Sequence, residues 1–281
     1  MIDLHAHSTA SDGSLSPTQL VTLAKSEGLS AVALTDHDTV AGLDEAVRAA
    51  REAEIGFVPG IELEVDWPTG VFHLLGLGLK RWDGRFRSRL EQVLEFRRER
   101  NMTMIARLRD AGIPVTYEDL TRISGHDTVG RPHFARWLVS HGVVASMQEA
   151  FDTMIGDGRP FYERKRGLSV AKTCAGVHEA GGIAVVAHPQ TLRMSWEELE
   201  MSLKRWKSEG LDGVEAYHAS LSANDAHRLA ALAGELGLIV TAGSDYHGPP
   251  RTDRRLGHSC EGIEIDDRFL EPIGVHDDGA G

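Results

Sequence analysis

Short apolar runs alternating with capped, amphipathic stretches constrain this chain more than any other feature. Ala31-Val32-Ala33-Leu34-Thr35 is apolar throughout, as a strand buried on both faces of a parallel sheet must be. Comparable runs lie at 56–62, 71–76, 183–187, 213–218 and 238–242, and residues 2–7 make a seventh. Six of the seven are separated by helices or loops of crossover length, so the spacing predicts a parallel α/β sheet, open or closed. The intervening helices carry their own signals. Ser16-Pro17-Thr18-Gln19 supplies an N-cap, a proline at the first helical position and a capping-box partner, and Gly28 stops the helix. A second capped helix is predicted over 41–53, with others near 169–180, from Ser195-Trp196-Glu197-Glu198 onward, and over 222–236.

From Lys80 the pattern changes. Residues 84–111 are charged, with an apolar stripe through Leu90, Val93, Leu94, Phe96, Met104, Ile105 and Leu108; shorter helices are predicted at 117–124, 132–141 and 147–155. No strand signal interrupts 84–158. The chain therefore reads as a discontinuous α/β domain, 1–79 with 159–268, carrying a small all-helical insertion at 80–158. The acidic, glycine-containing tail 269–281 is expected to be disordered.

Composition excludes some partners. A net charge of -12 argues against broad binding to duplex DNA or an anionic membrane, which needs a basic face, but leaves room for a local basic pocket. Cys174 and Cys260 form no C-x-x-C pair, so neither a disulfide framework nor a thiolate zinc site is supported. The chain opens into a strand without a leader-like apolar segment, and a cytoplasmic location is the expectation.

The chemistry-bearing residues gather where the apolar runs end. Within residues 2–7, alternation puts Ile2, Leu4 and Ala6 on one face and Asp3, His5 and His7 on the other. His37, Glu62, His73, His188, Asp245 and His247 end or interrupt later runs. A single such histidine is as readily a hydrogen-bonded core residue as a ligand. Repetition at the strand ends, where parallel α/β folds place their sites, favours ligands. About nine nitrogen and oxygen donors exceed what one ion uses, and a set without thiolate suits Mn, Fe or Zn in a bi- or trinuclear cluster.

On these residues the chain resembles the PHP (polymerase and histidinol phosphatase) superfamily. Asp3-Leu4-His5-Ala6-His7-Ser8 with Asp12 is similar to its first motif and Thr35-Asp36-His37-Asp38 to its second. Gly60-Ile61-Glu62 and His73 correspond to its middle ligands, Ala187-His188-Pro189 to its third motif and Gly243-Ser244-Asp245-Tyr246-His247 to its fourth. The resemblance implies a distorted seven-stranded (βα)7 barrel holding two or three divalent metals, manganese first. Carried over, one metal takes His5, His7, Glu62 and Asp245, a second Glu62, His73 and His188, and a third Asp12, His37 and His247.

The insertion and its Gly130-Arg131-Pro132-His133-Phe134-Ala135 stretch resemble the stand-alone members that act as nucleotide phosphoesterases. That implies metal-dependent hydrolysis of the 3'-phosphate of nucleoside 3',5'-bisphosphates, with 5'-3' trimming of short RNA as a related activity. Arg131 has a fork suited to phosphate and Pro132 frees neighbouring N–H groups at a helix start, although an ordinary helix start with a solvated arginine has the same sequence. Arg164-Lys165-Arg166 is either a solvated loop or a positive lid. Tyr217 and His218 either reach the mouth or pack on its rim, and Asp36 and Asp38 either orient His37 or cap the next helix. Substrate contacts are thus expected at Arg131, His133, Lys165 and His218, and the general acid is left between His188, His218 and a metal-bound water. The alternatives are an amidohydrolase or deacetylase, for which no strand-end lysine offers the usual bridging group, and a non-catalytic nucleotide-binding module.

Overall fold

The computed structural model describes residues 1–125, 128–164, 166–249 and 251–274. Among these, seven strands form one sheet in sequence order: β1 (Ile2–Asp3), β2 (Ala31–Leu34), β3 (Gly56–Glu64), β4 (His73–Leu77), β5 (Ile183–Val186), β6 (Gly213–His218) and β7 (Ile239–Gly243). The ends meet, with His7 N donating to Tyr246 O at 2.8 Å and Asp245 N to His5 O at 2.9 Å, so the sheet is a nearly closed barrel. Helices α1 (Pro17–Ser26), α2 (Leu43–Ala53), α7 (Val170–Glu179), α8 (Trp196–Ser208) and α9 (Ala223–Glu235) cover its outside. Among the described residues no helix is long and apolar enough to cross a membrane.

The wholly parallel sheet predicted from the spacing needs one correction. β4 runs antiparallel to both β3 and β5. The segment 65–72 between β3 and β4 is too short for a crossover helix, so the chain turns straight back. The reversal matters for chemistry. His73 begins β4 opposite Glu64 at the end of β3, and so stands at the same rim as the carboxyl ends of the parallel strands.

β1 is also shorter than the predicted 2–7. The Asp3 carboxylate accepts from His5 N at 3.1 Å, and this local bond draws the backbone out of the ladder after two residues. At α1 the Ser16–Gln19 capping box forms as the sequence predicts. α2 begins after Gly42 without a side-chain cap, contrary to the capped start expected there.

Between β4 and β5 the described chain is helical: α3 (Gly84–Asp110), α4 (Tyr117–Ser124), α5 (Arg131–Ser140) and α6 (Met147–Ala150), which runs into a π-helical turn at Phe151–Ile155. These pack on a core of their own built from Met104, Leu108, Leu120, Phe134, Leu138 and Ile155. Inside the barrel, Ile2, Leu4, Ala33, Val58, Leu75, Leu77 and Val185 meet Ile265 and Phe269. The tail is therefore ordered further than expected: Asp267–Ile273 is a 3-10 helix whose Phe269 is buried, because that ring fills the barrel interior beside Tyr217. Residues 275–281 of the predicted disordered tail lie outside the described residues.

Candidate metal centre and adjoining cavity

Glu62, fully buried near the end of β3, is the centre of the rim. Its Oε1 lies 2.8 Å from His73 Nδ1 and 2.8 Å from His188 Nε2, and its Oε2 lies 2.8 Å from His37 Nδ1 and 3.3 Å from His7 Nε2. Asp245 Oδ1 faces His7 Nε2 at 3.3 Å and His5 Nε2 at 3.5 Å. It follows β7 with φ of 57°, a left-handed conformation that aspartate tolerates better than most residues. Asp12 stands 3.3 Å from His247 Nε2 and 3.9 Å from His37 Nε2. Its loop is tied down by Asp36, which accepts from Ser8 N at 2.7 Å and from the Ser8 and Ser11 hydroxyls at 2.6 Å each.

The donors fall into overlapping groups whose atoms lie within 4.8 Å of one another: His5, His7, Glu62 and Asp245; His37, Glu62 and His73; His7, Asp12, His37 and His247. The first is the quartet carried over from the resemblance. In the second His37 joins Glu62 and His73, with His188 Nε2 3.4 Å from His73 Nδ1. In the third His7 joins Asp12, His37 and His247.

These residues fit a divalent cation. His5 Nε2, both ring nitrogens of His7 and Glu62 Oε2 are buried and make no hydrogen bond, because the close approaches among them lack bonding alignment. Such orphans each cost about 1–3 kcal/mol unless something binds them, and nitrogen and oxygen donors without thiolate suit Mn, Fe or Zn. The electrostatics agree. Burial opposes ionisation of Glu62, but the imidazoles of His37, His73 and His5 hold its carboxyl well below the usual range. Burial likewise opposes charge on His7, yet Asp245 and Glu62 lift it to about 10. His73 rises to about 9 on the same grounds, through Glu62 and Glu64. In His37 and His188 burial prevails and the pKa falls.

Several side chains at the site lie beyond the sequence reading. Glu64 Oε2 sits 3.1 Å from His73 Nε2, and Glu215 Oε1 sits 2.9 Å from His5 Nδ1. Both were signalled: Glu64 shares the face of Glu62 at period two, and Glu215 interrupts an apolar strand. Arg97, Arg100 and Asn101 are buried on α3, where they continue the stripe that Leu90, Val93 and Met104 define. A basic residue in an apolar stripe was the available sign. Asp38, at the end of the second motif, accepts from Glu64 N at 2.9 Å and pairs with Arg97.

A cavity of about 190 Å3 opens beside the cluster, lined by Asp12, His37 and His73 together with Arg97, Arg100, Arg131 and Arg164. Arg131 lies over the rings of Tyr162 and Phe151, at 5.4 Å and 5.9 Å. Arg100 is 3% exposed; its Nε and one terminal nitrogen make no hydrogen bond, and the other meets only the Met104 sulfur at 3.7 Å. Burial and the neighbouring charges of Arg97 and Arg131 pull it down to about 9.

The remaining expected contacts divide. His133 is not in the cavity wall; its Nδ1 accepts from Gly130 N at 2.8 Å and caps α5. Lys165 lies outside the described residues. His218 is buried at the cluster, with Nε2 3.8 Å from Asp245 Oδ2, while Tyr217 packs against Phe269.

The PHP domain family model matches residues 3–263. A 3',5'-nucleoside bisphosphate phosphatase from Chromobacterium violaceum is 35% identical over 280 residues, covering 96% of this chain and 98% of that protein. A 5'-3' exoribonuclease from Haemophilus influenzae is 35% identical over 247 residues, 88% of this chain and 90% of that one. Among solved structures, one described as an amidohydrolase from Chromobacterium violaceum, with bound sulfate and no metal, superposes with a TM-score of 0.85 at 34% identity over 96% of both chains. Another, from Bifidobacterium adolescentis and provisionally assigned as a metal-dependent phosphoesterase, gives 0.84 at 32% identity over 97% of this chain and 94% of that one.

Proposed function

This chain belongs to the PHP domain family, a hydrolase of phosphate esters, and we propose that it removes the 3'-phosphate from nucleoside 3',5'-bisphosphates. The observation behind this reading is a shared cavity. The donor cluster and the buried arginines face one cavity, so an anion held by Arg100 and Arg131 leaves a second phosphate of the same small molecule at the cluster. Trimming of short 5'-phosphorylated RNA uses the same two positions, and the Haemophilus relative favours it as a second activity.

His5, His7, Glu62 and Asp245 would hold one cation, Glu62, His73 and His188 a second, and Asp12, His37 and His247 a third, with manganese the first candidate. Bound there, such ions supply Lewis acidity that acidifies water and offsets charge on phosphoryl oxygens. The helical stretch 80–158, read as an insertion, brings Arg97, Arg100 and Arg131 to the barrel rim. Arg100 and Arg131 bind the phosphate that is not cleaved and so orient the one that is.

His218 is the better proton donor of the two histidines considered. Its Nδ1 accepts from Ser220 N at 3.1 Å, which leaves the proton on Nε2, facing Asp245 and the cluster. His188 is arranged the other way. Thr191 Oγ1 donates to Val71 O at 2.8 Å and so is free to accept from His188 Nδ1, 3.1 Å away, which would leave the Nε2 lone pair for a cation shared with Glu62, whose Oε1 lies 2.8 Å off. A ligand needs that lone pair; a general acid needs the proton.

The test compares adenosine 3',5'-bisphosphate with adenosine 3'-phosphate at equal protein and manganese. Much higher kcat/KM for the bisphosphate supports the reading. Equal rates would remove the role of the arginines, and cleavage of an amide substrate instead would favour the C–N hydrolase suggested by the description of the Chromobacterium structure.

A further inference from the structure

Glu215 is fully buried on β6, at the point where its pairing with β7 slips by one residue, and it does not line the cavity. Both of its carboxylate oxygens are engaged. Oε1 lies 2.9 Å from His5 Nδ1, and Oε2 accepts from the backbone N–H of His188 at 2.8 Å. We propose that Glu215 is a positioning residue, one that aims both His5 and His188 at the cation site without touching cation or substrate.

At His5 the contact sets the tautomer. A carboxylate only accepts, so the contact puts the imidazole proton on Nδ1 and turns the Nε2 lone pair toward Glu62 and Asp245, each 3.5 Å away. At His188 the carboxylate holds the backbone. This residue has φ of 27°, well outside the conformations a histidine prefers, and the bond to Glu215 fixes its N–H while the ring reaches Glu62. Space for the contact is reserved by Gly243, where a Cβ would stand 2.6 Å from Glu215 Oε1 and 2.3 Å from His5 Cβ. One side chain thereby coordinates the aim of ligands from β1 and from the end of β5.

The proposal rests on the metal-binding part of the proposed function, and its test reads metal binding rather than turnover. Zinc affinity is measured by chelator competition on the full chain and on Glu215→Gln, alongside the melting temperature of the metal-free forms. Glu215→Gln retains one acceptor for the two donors, and is expected to weaken binding about 10- to 100-fold while the metal-free protein still folds, at a melting temperature lowered by the one buried donor left unmet. A second measurement needs no variant: nitrogen-15 spectra of zinc-loaded wild-type protein should show the His5 proton on Nδ1. Affinity in Glu215→Gln equal to wild type, or a His5 proton absent from Nδ1, overturns the proposal; if the variant does not fold, the spectrum decides. Wild-type protein that binds no zinc overturns both this inference and the reading beneath it, whereas equal binding by wild type and variant overturns this inference alone.

Discussion

The Asp3 carboxylate accepts the Ser244 hydroxyl at 2.5 Å, and so joins the first strand to the residue just before Asp245. The same carboxylate accepts from Ser244 N, His5 N and Gly257 N at 3.1, 3.1 and 2.8 Å. One buried side chain thus closes the barrel at the place where two predicted ligands approach each other. Asp3→Ala would leave several buried donors unmet, at about 1–3 kcal/mol each. Urea denaturation should show a loss of at least about 3 kcal/mol. A change within experimental error would mean that the barrel is closed by other contacts.

Metal binding should depend on pH with a defined sign. His7 at about 10 and His73 at about 9 both lie above the ordinary 6.5, so in the metal-free folded protein they stay protonated through neutral pH. As raised pKa values, they contribute to metal-free stability fully below 6.5, and that contribution is lost as pH rises through 9 to 10. A ligating imidazole must be neutral, so each proton is released on binding. Apparent affinity should therefore climb between pH 6.5 and about 9, by up to tenfold per unit for each proton. Calorimetry in buffers of different ionisation enthalpy counts those protons; none released would contradict the account.

Arg100→Met should separate fold from function. Replacing a buried, unpaired guanidinium by an apolar chain is often neutral or stabilising, so the melting temperature should hold or rise. The lost charged hydrogen bonds, about 1.5–3 kcal/mol, correspond to roughly 10- to 100-fold in KM for the bisphosphate. An unchanged KM would take Arg100 out of substrate binding.

His218→Gln and His188→Gln should fail differently. The first is expected to keep its metal and lose about 10²- to 10⁴-fold in kcat, as removal of a general acid does. The second is expected to lose metal. Full kcat in metal-loaded His218→Gln would return the proton donor to solvent.

Much of the barrel was legible because its strands advertise themselves: runs such as 31–35 and 183–187 are apolar on both faces, and their polar ends name His37 and His188. The direction of β4 was less visible, since apolarity reports burial and not polarity of the chain; only the short 65–72 connection carried it. His133 read as a phosphate contact because its sequence position beside Arg131 says nothing of rotamer, and Gly130 N claims its Nδ1. Arg97 and Arg100 were harder to see: on a helix rich in charge only their place in the apolar stripe sets them apart from their solvated neighbours. The tail misled through composition: Phe269, with Leu270 and Ile273 packed beside it, orders the segment against the barrel interior despite its acidic neighbours.

Phosphate release from adenosine 3',5'-bisphosphate by the manganese-loaded protein, beside a 5'-phosphorylated oligonucleotide and an Asp245→Ala control, addresses the central claim most directly. The account predicts rapid release from the mononucleotide, abolished in the control together with metal content. Mononucleotides liberated only from the oligonucleotide would make the chain an exonuclease instead, and inactivity on both substrates with metal bound would contradict the assignment of this cluster and cavity to phosphate-ester hydrolysis.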